Sequence, residues 1–269
     1  MGFFSATIEI TRQTLRQLLQ NRMCLVVGFA LVAIALIGYL LGGHPPRELK
    51  GSHLYALMAW WLLGTVLLPW TTLYFGVQAV HGDIEDRSFQ YLFLRPVSRA
   101  AILLGKWLAV ALLCSVMFTV GAVLLFFAFA ARPELWPLGV ETEMAVAFAE
   151  AMAWAAFAYA SIAVLFAAKF QRPLVFGAFF IVGLQMFIGN MPAQAGIRVL
   201  TITDPLRRLL LDGIDPDPRL ARVLWPSERE FKPDLIGHPL LNLSIIIAVT
   251  LVLALWFYTR SEYDSRSRE

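Results

Sequence analysis

Charge along this 269-residue chain is segregated, and that segregation limits the folds open to it. Six runs cover 144 residues and hold a single charged side chain, while the other 125 residues hold the remaining 40. The runs are Met23–Gly43, Leu54–Val80, Trp107–Ala131, Met144–Ala168, Pro173–Ile197 and Pro239–Thr259. A water-soluble fold needs charge on every surface helix, so an ordinary soluble domain is excluded. Disorder is excluded too, because it requires low hydrophobicity and 59% of this chain is apolar. About 20 apolar residues span the hydrocarbon core as a helix, and each run has at least 21. None alternates apolar with polar as a barrel strand does, so helices are the remaining way to satisfy the backbone in lipid. The expectation is an all-α integral membrane protein with six transmembrane helices in one domain, residues 1–269.

Lys and Arg set the orientation. The side that carries both termini holds 12 of them, and the two short loops on the opposite side hold three. The other seven lie in the long segment Arg198–His238, where seven acids nearly balance them. The bias in the short loops predicts cytoplasmic termini. A net charge of +3 is too small to indicate nucleic acid. Cys24 and Cys114 both fall inside predicted spans, which leaves no disulfide framework and no CxxC metal site.

Between the spans, three segments are legible. Phe4, Ile8, Thr11, Leu15 and Leu18/Leu19 recur at helical spacing opposite Glu9, Arg12, Gln13, Arg16 and Gln17. This pattern predicts an N-terminal amphipathic helix lying in the headgroup plane. A cytosolic helix packed on a partner is the alternative. In the loop His81–Lys106, Asp83, Glu85 and Asp86 precede a short apolar stretch (Phe89, Leu92, Phe93) that Pro96 ends; Ser98 can then cap the third span. Before span six, Asp204–Leu211 reads as a brief helix with Asp204 as cap and Pro205 at its first position.

Within the runs the one charge is Glu150, in span four. An ionised carboxylate at that depth calls for a partner, a proton or a polar cavity. It either lines a substrate or proton path or bonds a neighbouring helix, with Gln185 of span five as the candidate partner. Span four is otherwise rich in alanine, which predicts close backbone approach and a central place in the bundle. Gly189, Asn190, Met191 and Pro192 predict a break in span five. Enzyme constellations are missing from the sequence. No GxSxG serine, HExxH, EF-hand or phosphate-cradling Gly-Lys loop occurs, and His44, His53, His81 and His238 all sit at span ends or in loops.

The stretch from Glu85 to Lys106 resembles the cytoplasmic loop of type-two ABC transporter permeases. In that family an acid, a Gly-Thr pair and a leucine-rich helix lead to Pro-hydrophobic-Ser-Arg and then Leu-Leu-Gly-Lys. Here Glu85 supplies the acid and Ser88 falls at the threonine. Pro96-Val97-Ser98-Arg99 and Leu103-Leu104-Gly105-Lys106 match, while Arg87 and Phe89 depart from the pattern. Asp204-Pro205 with Arg207 is similar to a Pro-x-Arg element after span five.

The resemblance implies a bacterial inner-membrane permease, working as a dimer, most simply of two copies of this chain. It also implies two copies of a separate ATP-binding subunit, so that ATP and magnesium bind the partner and this chain has no cofactor of its own. The loop would then carry a coupling helix, with Glu85, Asp86, Arg87, Ser88, Phe89, Phe93, Arg95 and Arg99 as its contacts to the ATPase. Few polar side chains lie within the spans, which favours export of a hydrophobic or amphipathic substrate over a hydrophilic solute. A non-transporting transducer acting on an extracytoplasmic partner protein is the alternative.

Overall fold

Long apolar runs become long helices in the computed structural model of this protein, which describes residues 2–42, 51–85, 98–131, 141–187, 201–213 and 238–260. All secondary structure among the described residues is helical. Helix α1 (Phe3–Gln20) leads into α2 (Arg22–Gly42). Helix α3 starts as Gly51–Met58, passes through a π-helical stretch, Ala59–Leu67, and continues as Leu68–Glu85. Then follow α4 (Arg99–Ala130), α5 (Glu141–Lys169), α6 (Pro173–Phe179, continued as the π-helical Phe180–Phe187), α7 (Thr203–Gly213) and α8 (Pro239–Arg260).

Five of these, α2, α3, α4, α5 and α8, are long and apolar enough to cross a membrane. The run expected as span five, 173–197, appears as the shorter apolar helix α6, and its continuation from 188 lies outside the described residues. Among the described residues there are therefore five candidate spans where six were expected. The predicted break at Gly189–Pro192 also lies outside the described residues.

Helix boundaries follow local chemistry. Ser98 caps α4 as expected, its hydroxyl accepting from the Ala101 N–H at 3.3 Å. Helix α4 thus begins eight residues before the apolar run. Helix α7 starts at Thr203, one residue earlier than the capping reading of Asp204, and keeps Asp204 in its first turn, where a carboxylate favours the helix dipole. Helix α3 reaches Glu85, the last described residue before Ser98, so this acid belongs to the span-two helix. The sequence reading had it opening a separate short helix. Nothing between Val80 and Glu85 stops a helix: Gly82 costs only about 1 kcal/mol there, and no proline occurs before Pro96.

Helix α5 is the centre. Ala151, Ala155, Ala156, Ala158, Ala160, Ala163 and Ala167 are buried, together with Phe148 and Met152, and α5 packs against α3, α4, α6, α7 and α8. Small side chains make this approach possible. A Cβ added to Gly76 of α3 would stand 2.5 Å from the Cβ of Ala163, closer than two carbons can sit. Polar pins supplement the packing: Thr250 of α8 donates to Ser161 Oγ at 2.7 Å, and Thr119 of α4 donates to the Ala149 carbonyl at 3.3 Å.

Helix α1 lies along the start of α4. Its packing face is Ala6, Thr11, Thr14 and Leu18, and Thr11 Oγ1 donates to the Gly105 carbonyl at 3.1 Å. Phe4, Ile8 and Leu19 point away from the protein and are exposed. The apolar stripe read from the sequence thus divides: Thr11 and Leu18 join the bundle, while the larger apolar residues face outward, as a helix at a lipid interface requires.

Gly105 sits against α1 so closely that a Cβ there would stand 2.9 Å from the Thr7 carbonyl oxygen and from Ile10. Gly105→Val is expected to push α1 off α4 at a cost of about 1–3 kcal/mol. Limited trypsin digestion in detergent, read as faster cleavage after Arg12 and Arg16, checks this; an unchanged rate contradicts it.

Candidate functional site

The α1 end of the bundle carries the chain termini of the spans: Arg99 of α4 donates to the Thr259 carbonyl of α8 at 3.3 Å, and His81 of α3 bonds the Ala167 carbonyl of α5 at 2.9 Å. Of the residues assigned to ATPase contact, Asp86, Arg87, Ser88, Phe89, Phe93 and Arg95 lie outside the described residues. Glu85 is described only as the last backbone position of α3. Arg99 is exposed in the first turn of α4, at the same end as Glu85. The structure therefore brings the two margins of the loop to one end of the bundle.

The opposite, far end contains a buried polar node that sequence reading resolved only in part. Gln185, in the π-helical part of α6, is 2% exposed. Its Oε1 accepts from the Ile202 N–H at 3.2 Å and from Thr203 Oγ1 at 3.0 Å. Gln185 thereby anchors the segment that opens α7, and it is not joined to Glu150. The Thr203 hydroxyl also meets the hydroxyl of Tyr159 from α5.

One helical turn on, Arg207 is 2% exposed, with its guanidinium carbon 5.2 Å from the ring centre of Trp60 in the π-helical part of α3. Asp204, also buried, pairs with Arg208 at 3.0 Å. So α7, a charged helix from the segment expected outside the membrane, drives Asp204, Leu206, Arg207 and Leu210 into the bundle.

Both wide-turned stretches flank this node. In α3 the N–H of Leu68 reaches the Leu63 carbonyl, five residues back, and Thr65 Oγ1 donates to the Trp60 carbonyl at 3.0 Å. The wider turn offsets the residues above and below it, and this places Trp60 toward α7 while Phe75 and Gly76 still meet the core. π-Helical turns of this kind concentrate at functional sites. A small cavity lies between Trp60, Thr65, Met152, Tyr159 and Thr203, with about 10 Å³ open to a water centre, room for roughly one molecule. Two buried donors, Trp60 Nε1 and Gln185 Nε2, have no hydrogen-bond partner among the described residues.

The resemblance to a Pro-x-Arg element had singled out Arg207, and polarity had singled out Gln185. Trp60 and Tyr159 carried no signal, since an aromatic in an apolar run reads as ordinary core.

Glu150 lies elsewhere, on an exposed part of α5. Among the described residues it makes no hydrogen bond or ion pair. The same residues contain no group of three or more His, Cys, Asp or Glu side chains able to hold a metal.

Residues 6–263 match the family described as ABC-2 family transporter protein. The chain belongs to the ABC-2 transporter family. No curated protein matches it. As an ABC-2 permease it is a membrane transport protein, and membership implies an ATP-binding partner and a dimeric assembly. The expected type-two resemblance is thereby confirmed over nearly the whole chain.

The node makes a prediction for this permease. Gln185→Leu strands the Ile202 N–H and the Thr203 hydroxyl, at about 1–3 kcal/mol, and Trp60→Leu removes the face under Arg207. Each is expected to speed amide exchange across 203–213 by roughly five- to a hundredfold and to leave the middle of α5 protected. Exchange mass spectrometry on the detergent-purified protein reads this; unchanged exchange at 203–213 in both variants refutes the anchoring role.

Proposed function

We propose that this ABC-2 permease is the membrane subunit of an exporter, powered by two copies of a separate ATPase and moving a hydrophobic or amphipathic substrate across the cytoplasmic membrane with both termini inside. The observation that carries this is family membership over residues 6–263 in a chain with no phosphate-cradling motif. Polar side chains within the spans are few, so the pathway offers little to replace the hydration shell of an ion or a sugar.

In this reading, two copies of the chain enclose the pathway, and the loop after Glu85 docks on the ATPase. Phe89 and Phe93, four residues apart, fill an apolar notch of that subunit. Arg95 and Arg99 flank Pro96 at the elbow into α4 and pair with its acids or with lipid phosphates. Closure of the ATPase dimer on ATP then pushes on the ends of α3 and α4, two helices that pack directly on α5.

The test is co-purification with a co-expressed ATP-binding-cassette ATPase and hydrolysis in reconstituted membranes. The permease alone is expected to hydrolyse no ATP. The double variant Glu85→Ala with Phe89→Ala is expected to insert normally and to lose at least about tenfold in ATPase association, as removal of an interface anchor does. Turnover by the lone chain, or undiminished association of the double variant, contradicts the proposal. Coupled hydrolysis that moves no amphipathic probe would instead identify a transducer acting on an extracytoplasmic protein.

A further inference from the structure

One face of α5 is open in its far half and closed in the half nearer α1. Glu143, Val146 and Glu150 follow one another at spacings of three and four, all exposed, and Trp154 and Phe157 continue the stripe, both half-buried. Eleven residues past Glu150 the same stripe reaches Ser161, fully buried under Thr250 of α8. Helix α4 borders the open half through the bond from Thr119 to Ala149, and toward the α1 end Trp107 meets the Phe157 ring edge-on with centroids 5.9 Å apart. The stripe thus runs from a carboxylate-bearing mouth to an aromatic floor.

Glu150 sits six residues inside the apolar run, about 9 Å along the helix axis. An acyl chain covering it would leave a carboxylate unsolvated, at a cost of a few kcal/mol. Among the described residues a second copy offers no uncommitted positive charge at that depth, since α7 keeps Arg207 on Trp60 and Arg208 on Asp204. Within the described spans the basic side chains lie at helix ends, apart from Lys106, which is buried in α4 at the opposite, α1 end. A group that carries its own positive charge and apolar substituents satisfies both parts of the stripe. The charge meets Glu150, and the apolar substituents and the cation's field meet the faces of Trp154 and Phe157.

We propose that the stripe Glu143–Phe157 on α5 binds an amphipathic cation, an organic ammonium or phosphonium with apolar substituents, taken up from the membrane. This rests on the reading of the chain as a path for a hydrophobic or amphipathic cargo and narrows that cargo to positively charged molecules. Glu150 is the charge-reading residue, Trp154 and Phe157 are the apolar contacts, and Glu143 at the mouth raises the local concentration of cations.

The experiment is equilibrium binding of labelled tetraphenylphosphonium to the purified permease in nanodiscs of phosphatidylethanolamine and phosphatidylglycerol, corrected against empty discs. Tetraphenylborate, of the same shape and opposite charge, serves as competitor. Saturable binding is expected, weakened at least about tenfold by Glu150→Gln and kept within about threefold by Glu150→Asp, the usual reach of one carboxylate–cation contact. Trp154→Leu is expected to weaken it about threefold, and tetraphenylborate is expected not to compete. Absence of saturable binding, equal competition by tetraphenylborate, or wild-type binding in a monodisperse Glu150→Gln protein overturns the assignment. Should Glu150→Gln fail to fold, the competitor and Trp154→Leu decide it. Binding needs no ATP. Saturable, Glu150-dependent binding without ATPase association would remove the exporter reading and keep the site, while coupled export of neutral amphipaths without such binding would do the reverse.

Discussion

The close approach of small side chains along α5 is the interaction on which the other contacts depend. In lipid, apolar burial gives helices little reason to associate, since acyl chains are as apolar as leucine. Dispersion contact and a few hydrogen bonds must do it, and both require backbones near one another. The alanines of α5 allow that approach on several sides. Gly76 meets Ala163, and Thr119 and Thr250 come within bonding distance of α5.

That central helix also explains why charge can enter the far end. Arg207 and Asp204 would be intolerable in bare hydrocarbon. Inside the bundle, Arg207 lies on Trp60, Asp204 pairs with Arg208, and the start of α7 is held by Gln185. The two π-helical stretches supply the offset that lets α3 and α6 face α7 there without leaving the core.

Much of this architecture was legible from the sequence. Segregated charge located the helices to within a few residues for α2, α5 and α8. Ser98 marked the start of α4, and the alanine run of span four marked the centre. What the sequence left hidden has physical causes. Helix α3 runs through to Glu85 because no residue between Val80 and Glu85 stops it, and the rest of the motif lies outside the described residues. Gln185, offered as a candidate partner of Glu150, is held instead by the Ile202 N–H and the Thr203 hydroxyl, which belong to a segment read as lying outside the spans. The polar node depends on a segment that folds back into the bundle, and nothing in its charged sequence distinguishes a helix inserted there from one lying outside. The ATPase-facing loop was legible only through its resemblance, and most of it lies outside the described residues.

The five long spans differ in how they meet their surroundings. Helices α2 and α8 are largely exposed along their length, whereas α3 and α5 are mostly buried and carry the less apolar sequences. Helix α5 also carries Glu150, a residue that on its own disfavours partition into a bilayer. The helices that organise the finished bundle are thus the ones least able to enter the membrane unaided. The more apolar α2 and α4 partition readily, and α3 and α5, each adjacent in sequence to one of them, follow as hairpin partners whose small and polar faces are sheltered on arrival. The chain order that alternates strongly and weakly apolar spans is therefore a biogenesis programme, in which every hesitant helix emerges beside a committed one.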